Sequence, residues 1–323
     1  MKAVIITNAG PDIGGGHLSR CFALSQALET YGTSCSWILN EDASSQAGAL
    51  GIGEKFFLRD IFCRESIDIA RDADFAVVDS YAAPGDFFRD ISEAVKLVVI
   101  DDLHDRGVEA CADVVINYGF GASKEFYESG RCACLLGPGY ALLRREFWTL
   151  TPEERDYVLF SPGAADVAGA AQDIARWWDA SWPALVIVLG PLVSVRSLHA
   201  VGEISSGREN IKVLHNPSDF PLVLSRARLV ICTASVTAYE ALAMEKNTVV
   251  FSVAQNQSGF GERLERMGVA LDLGCWHDMK PDDIHGALSY KADHHSLKDL
   301  VKKDGARFCA RELLQLICQG SND

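Results

Sequence analysis

Short apolar runs recur along this chain, and stretches with helical spacing separate most of them. In the first half the runs Lys2–Thr7, Ser34–Leu39, Phe75–Asp79, Leu97–Asp101 and Val114–Asn117 read as strands. Between the first two, residues 17–31 place Leu18, Cys21, Phe22, Leu24, Ala27 and Leu28 at helix spacing, and residues 85–94 form another helix. Unbroken apolar runs suit parallel strands covered on both faces, and an intervening helix supplies each crossover. Residues 148–155 are polar and include a proline, which marks a linker. The alternation then restarts, with strands expected at Tyr157–Phe160, Ala184–Leu189, Ile211–Leu214, Leu229–Cys232 and Thr248–Val253. Helices are expected at 167–179, 220–227, 236–244 and 259–267, with a last one over 296–318 broken near Asp304-Gly305. The chain has 323 residues, enough for two domains at roughly 150 residues each. The expectation is therefore an α/β protein with two Rossmann-like, doubly wound domains facing a cleft. They would span residues 1–149 and 150–323, with the last helix packing back on the first.

Charge narrows the function classes. Lysine and arginine total 30 against 44 acidic residues, a net charge of −14. Non-specific nucleic-acid binding needs basic surface to displace counterions, so no nucleic-acid partner is expected. No run approaches the roughly 20 apolar residues of a membrane span, and the opening run turns polar by Thr7. Neither membrane insertion nor a signal peptide is expected. The ten cysteines include no C-x-x-C pair, and most lie in apolar runs; Cys132 and Cys134 alternate as on one strand face. This suggests a reducing cytoplasm without a disulfide framework. No heptad pattern marks an obligate interface, so a monomer is expected.

In doubly wound sheets ligands bind where strand ends meet helix N-termini. The loops at those positions are 8–17, 79–84, 161–166, 233–237 and 254–258. Gly14-Gly15-Gly16-His17 would let backbone approach a ligand closely and puts an imidazole at a helix start, where the positive end favours the neutral base; the plain alternative is a turn with a capping histidine. Asp79-Ser80-Tyr81 closes a strand. Thr233-Ala234-Ser235-Val236-Thr237 leads into a helix carrying Glu240. Its hydroxyls and amides suit a diphosphate and its carboxylate suits ribose hydroxyls, while Thr237 with Glu240 also fits a capping box. Asn256 and Gln257 have groups for sugar hydroxyls. Asp101-Asp102-Leu103-His104-Asp105 has hard-metal ligand types, but no further ligands complete a set, so no metal and no cofactor are expected.

Taken in order, these pieces resemble the PseG family of nucleotide-sugar hydrolases in pseudaminic acid biosynthesis, and related SpsG-type polysaccharide proteins. The matching segments are Gly14-x-Gly16-His17-x-x-Arg20-Cys21, Val78-Asp79-Ser80-Tyr81, Ile100-Asp101-Asp102, Asp113–Asn117, Gly139–Phe147, Ser235-x-Thr237-x-x-Glu240-Ala241-Leu242 and Asn256-Gln257. They cover roughly residues 1–270. The resemblance implies the GT-B architecture, with a second domain like that of MurG. It implies a UDP-sugar partner and hydrolysis of UDP-2,4-diacetamido-2,4,6-trideoxy-β-L-altropyranose with inversion. His17 would be the general base, with Tyr81 and Asn256 positioning water or sugar. Gly14, Gly15, Gly16, Asp79, Ser161, Gly163 and Gln257 would line the substrate. Ser235, Val236 and Thr237 would hold the diphosphate, Glu240 the ribose, and residues 215–219 would face the base. The family's glycine pair at the opening of the second domain is replaced by Ser161-Pro162-Gly163. A GT-B glycosyltransferase with the same donor site and an inactive nucleotide-sugar-binding relative are the alternative readings.

Overall fold

A computed structural model describes residues 1–10 and 13–319, without the side chains of 255, 256, 258 and 294. The chain divides into two compact units, one of Met1–Ala9, His17–Trp148 and the C-terminal segment from Asp304, the other of Gly10–Gly16 and Thr149–Lys303.

The first unit is a seven-stranded parallel sheet: β1 (Lys2–Thr7), β2 (Ser34–Asn40), β3 (Lys55–Leu58), β4 (Phe75–Asp79), β5 (Lys96–Ile100), β6 (Val114–Asn117) and β7 (Ala133–Leu136). Their spatial order is β3-β2-β1-β4-β5-β6-β7. The chain therefore winds outward from β1 in one direction and from β4 in the other. That reversal makes a topological switch point at the carboxyl ends of β1 and β4. Thr7 Oγ1 donates to the Asp79 carbonyl at 2.9 Å and ties these two ends together. The β4 run is buried throughout, which explains its unbroken apolar sequence. Helix Gly85–Ser92 buries Phe87, Phe88 and Ile91 and turns its charged residues outward.

The second unit has six parallel strands: β8 (Tyr157–Ser161), β9 (Ala184–Leu189), β10 (Ile211–His215), β11 (Leu229–Thr233), β12 (Asn247–Ser252) and β13 (Leu271–Cys275), ordered β10-β9-β8-β11-β12-β13. Here the switch point lies at the ends of β8 and β11. Phe160 and Phe251 stack at 5.6 Å in its core, with Trp276 against both.

The helices follow the expected order with shifted ends, and the last one is broken before Gly305 as expected. The helix expected over 259–267 spans Gln255–Arg266, so the polar residues from Gln255 form its first turn rather than a loop tip. Ala254 is extended before it, and Gln257 Oε1 accepts the Val253 amide at 2.9 Å. The last helix is two pieces, His294–Leu297 and Gly305–Gln319. Gly305 starts the second because a Cβ there would stand 2.7 Å from the Ala141 carbonyl oxygen. All ten cysteines are free thiols, and Cys132 and Cys134 do share a face, with sulfurs 3.8 Å apart. Among the described residues no helix is long and apolar enough to cross a membrane.

Candidate functional site

In the first unit the carboxyl ends of β4 and β5 gather a polar cluster around helix Gly16–Glu29, buried at His17, Arg20 and Asp79 and open to the surface at Tyr81. His17 Nδ1 lies 2.7 Å from Asp79 Oδ1. Arg20, one turn on, reaches the same carboxylate through Nε (2.7 Å) and Nη2 (2.6 Å). Its Nη1 donates to Asp102 Oδ2 at 2.6 Å. Tyr81 donates its hydroxyl to that same Asp102 oxygen at 2.9 Å. The Tyr81 ring meets the His17 ring edge-on, 4.4 Å between centroids. Cys21 Sγ (3.4 Å from Asp79 Oδ2) and Tyr118 (hydroxyl 3.5 Å from Arg20 Nη1) complete the wall.

This geometry fixes protonation. Burial alone would push the Asp79 carboxyl up, but Arg20 and His17 outweigh it and hold it far below the usual carboxylate range. Asp102 is likewise held low: Arg20 overcomes its burial. Burial drives the Tyr81 and Tyr118 hydroxyls upward, so both remain protonated donors at neutral pH. An ionised Asp79 only accepts hydrogen bonds, so at 2.7 Å His17 Nδ1 must carry the proton. Nε2 is then the unprotonated nitrogen of the neutral ring. The capping reading of His17 is therefore wrong: the ring serves Asp79.

The Asp101–Asp105 stretch is occupied by its own pairs. Asp101 accepts from Arg106 Nη2 at 2.9 Å and from the Tyr127 hydroxyl at 3.2 Å, and Asn117 donates to that hydroxyl at 2.9 Å. Arg106 also donates to the Ser80 carbonyl. This second network pins the loop that presents Asp102. Among the described residues no three His, Cys, Asp or Glu side chains stand together as metal ligands.

The glycine loop is closed by paired bonds between Gly10 and Gly14, with Gly14 at φ +81°. Gly15 follows it, and Gly16 is the first helical residue.

In the second unit Ser161 ends β8, and Gly163 turns at φ +88°. A Cβ at 163 would lie 3.4 Å from Thr233 Oγ1. Thr233 Oγ1 in turn meets Ser235 Oγ at 2.9 Å. Ser235 precedes helix Val236–Ala243, and its side chain makes no cap bond. The expected capping box of Thr237 with Glu240 is thus corrected: the cap position is Ser235, and Val236 and Thr237 are already the first helical turn. Glu240 lies a turn further on and is buried, at 4% exposure. His215 ends β10 and is exposed. The side chain of Asn256 lies outside the described residues. Asp166 was not singled out. It sits at φ +48° and accepts the Ala171 amide at 3.3 Å, and burial raises its carboxyl to about 7.

Sequence reasoning placed His17, Asp79 and Tyr81, which the fold brings together. It left Arg20 as part of a matching segment and weighed Asp102 only within an acidic stretch of hard-metal ligand types. The available signal for Arg20 was its i, i+3 spacing from His17, which puts both on one helix face.

No protein-family model matches the chain. The chain is 24% identical over 311 residues to an uncharacterized protein of Methanocaldococcus jannaschii, covering 88% of this chain and 63% of that protein's length. It is 23% identical over 245 residues to the spore coat polysaccharide biosynthesis protein SpsG of Bacillus subtilis, covering 71% of this chain and 68% of SpsG. Among solved structures, MurG of Acinetobacter baumannii superposes with a TM-score of 0.62 over 99% of this chain and 100% of that one, at 16% identity. The UDP-GlcNAc 2-epimerase of Neisseria meningitidis bound to UDP-GlcNAc gives 0.61 over 99% and 100%, at 10% identity. The fold is of the GT-B type. Its two parallel sheets, of seven and six strands, are the two Rossmann-like halves of that type.

Proposed function

We propose that this protein is a nucleotide-sugar hydrolase. Its substrate is UDP-2,4-diacetamido-2,4,6-trideoxy-β-L-altropyranose, in pseudaminic acid or related surface-polysaccharide biosynthesis. The reading is supported by the His17–Asp79 pair at a sheet's switch point, in which Asp79 takes Nδ1–H and leaves Nε2 as the basic nitrogen of the neutral ring. Water attacks the anomeric carbon and gives its proton to His17 Nε2. The bond from that carbon to the diphosphate oxygen breaks, its electron pair leaves with UDP, and the configuration inverts. Tyr81 and Asn256 position water or sugar. The amides of Ser235, Val236 and Thr237 and the positive helix end neutralise the departing diphosphate, Glu240 takes the ribose, and the base lies near residues 215–219. Gly14, Gly15, Gly16, Ser161, Gly163 and Gln257 complete the binding surface. The reading is supported by the likeness to SpsG and by GT-B neighbours whose names include UDP-GlcNAc.

Incubation with this UDP-sugar in 18O-water, without any acceptor, tests it. The expected result is UDP release with label on the sugar's anomeric oxygen. Label on phosphate would overturn the mechanism. Turnover only with an added acceptor would assign a glycosyltransferase, and UDP binding without turnover an inactive binding protein.

A further inference from the structure

The cluster around His17 contains one feature the proposed reaction does not itself require: a buried guanidinium between two carboxylates. Among the described residues, the titratable and charged groups around the imidazole are these. Arg20 and Cys21 come from its own helix, Asp79 from the end of β4, Tyr81 from the loop after it, Asp102 from the loop after β5, and Tyr118 from the loop after β6. Both tyrosines and the thiol are neutral, since burial raises all three. Among the described residues that leaves two anions and one cation. Arg20 Nη2 stands 3.1 Å from His17 Nδ1 and bridges both carboxylates through its other nitrogens. An imidazole beside one buried and one half-buried carboxylate, with no cation between them, would hold a proton tightly and be a poor base.

We propose that Arg20 is a positioning residue that offsets Asp79 and Asp102, so that Asp79 can fix the His17 tautomer without driving the ring into its protonated form. Geometry supports this division of labour. The guanidinium engages both oxygens of Asp79, and Oδ1 is shared between Arg20 Nη2 at 2.6 Å and His17 Nδ1 at 2.7 Å. A lysine would keep the charge but lose the two-pronged grip. The opposite signs of Arg20 and Asp102 then predict opposite effects. The inference deepens the proposed role of His17 and rests on that reading only for its kinetic consequence.

The test is an NMR pH titration of the full chain carrying 13C,15N-labelled histidine, with His17→Gln assigning the resonance. Wild type should show Nδ1 protonated and Nε2 bare in the neutral form. In Arg20→Gln the His17 midpoint should move up by about one pH unit or more. Arg20→Lys should recover most of that displacement. Asp102→Asn keeps an oxygen for Arg20 and Tyr81 while removing a charge, and should move the midpoint down. A midpoint in Arg20→Gln that stays or falls, or one in Asp102→Asn that stays or rises, overturns the inference. If Arg20→Gln does not fold, Asp102→Asn decides it. The acid limb of UDP-sugar turnover should move with the same signs. If wild type turns over no UDP-sugar, the hydrolase reading fails, and the titration still decides the charge arrangement.

Discussion

The residue on which the proposed chemistry turns is His17, and its neighbours make separable predictions. His17→Ala should abolish UDP-sugar turnover while changing UDP affinity less than about threefold, because the nucleotide is assigned to other residues. Calorimetric titration with UDP alongside a turnover assay checks both; undiminished turnover would remove His17 from its role. Asp79→Asn should cost about a hundredfold or more in kcat, since an amide can present a donor to Nδ1 and invert the tautomer. Asp79 also predicts acid sensitivity. Its folded pKa lies below the unfolded value of about 3.9, because Arg20 and His17 overcome its burial. The stability it contributes is therefore complete above about pH 4 and is lost as pH falls towards the folded value. Urea midpoints between pH 6 and 3 should fall less steeply in Asp79→Asn than in wild type. Asp79 and Tyr81 were legible because a polar residue closing an apolar strand must emerge at the sheet's functional edge. Arg20 and Asp102 were not. Their contact joins residues 82 apart in sequence, and no local pattern encodes such a pairing.

At the scale of elements, the strands read most easily were those with continuous apolar runs. β4 and β11 are buried along their whole lengths, so burial on both faces writes itself into composition. β3 and β13 escaped because they are sheet edges whose residues are mostly half-buried or exposed. β7, also an edge, showed only in its cysteine alternation. Helix Val195–Ser205 buries only Val201 and Ser205, too little to set a period. The loop after β8 shows a different limit, because its energetics depend on a turn that composition does not reveal. Asp166 there has a folded pKa raised to about 7 by burial. For an acid raised above its unfolded value, stability falls as pH climbs from about 4 to the folded value, because the unfolded chain ionises first. Asp166→Asn should therefore stabilise the protein by about 1–3 kcal/mol at pH 8 and by little at pH 4, since an amide oxygen can still accept the Ala171 N–H. Denaturant melts at the two pH values check it; equal effects at both would refute the cause.

For the whole molecule, the two sheets have separate cores, and the chain closes the first with its own end. Helix Gly305–Gln319 buries Ala306, Cys309, Ala310, Leu313 and Ile317, and Phe308 stacks on Tyr140 at 5.2 Å. Residues more than 150 positions apart thus complete one unit, while the nucleotide contacts are assigned to the other. Substitution in the last helix should then act on stability and turnover without touching the nucleotide. Leu313 is fully buried, and Leu313→Ala should cost about 2–5 kcal/mol. The cost should appear in the melting of the unit that contains the proposed base. UDP affinity, measured well below the melting range, should stay within about twofold of wild type. A large loss of UDP affinity in folded Leu313→Ala would mean that the last helix supports the nucleotide site, and the division of labour between the units would have to be redrawn.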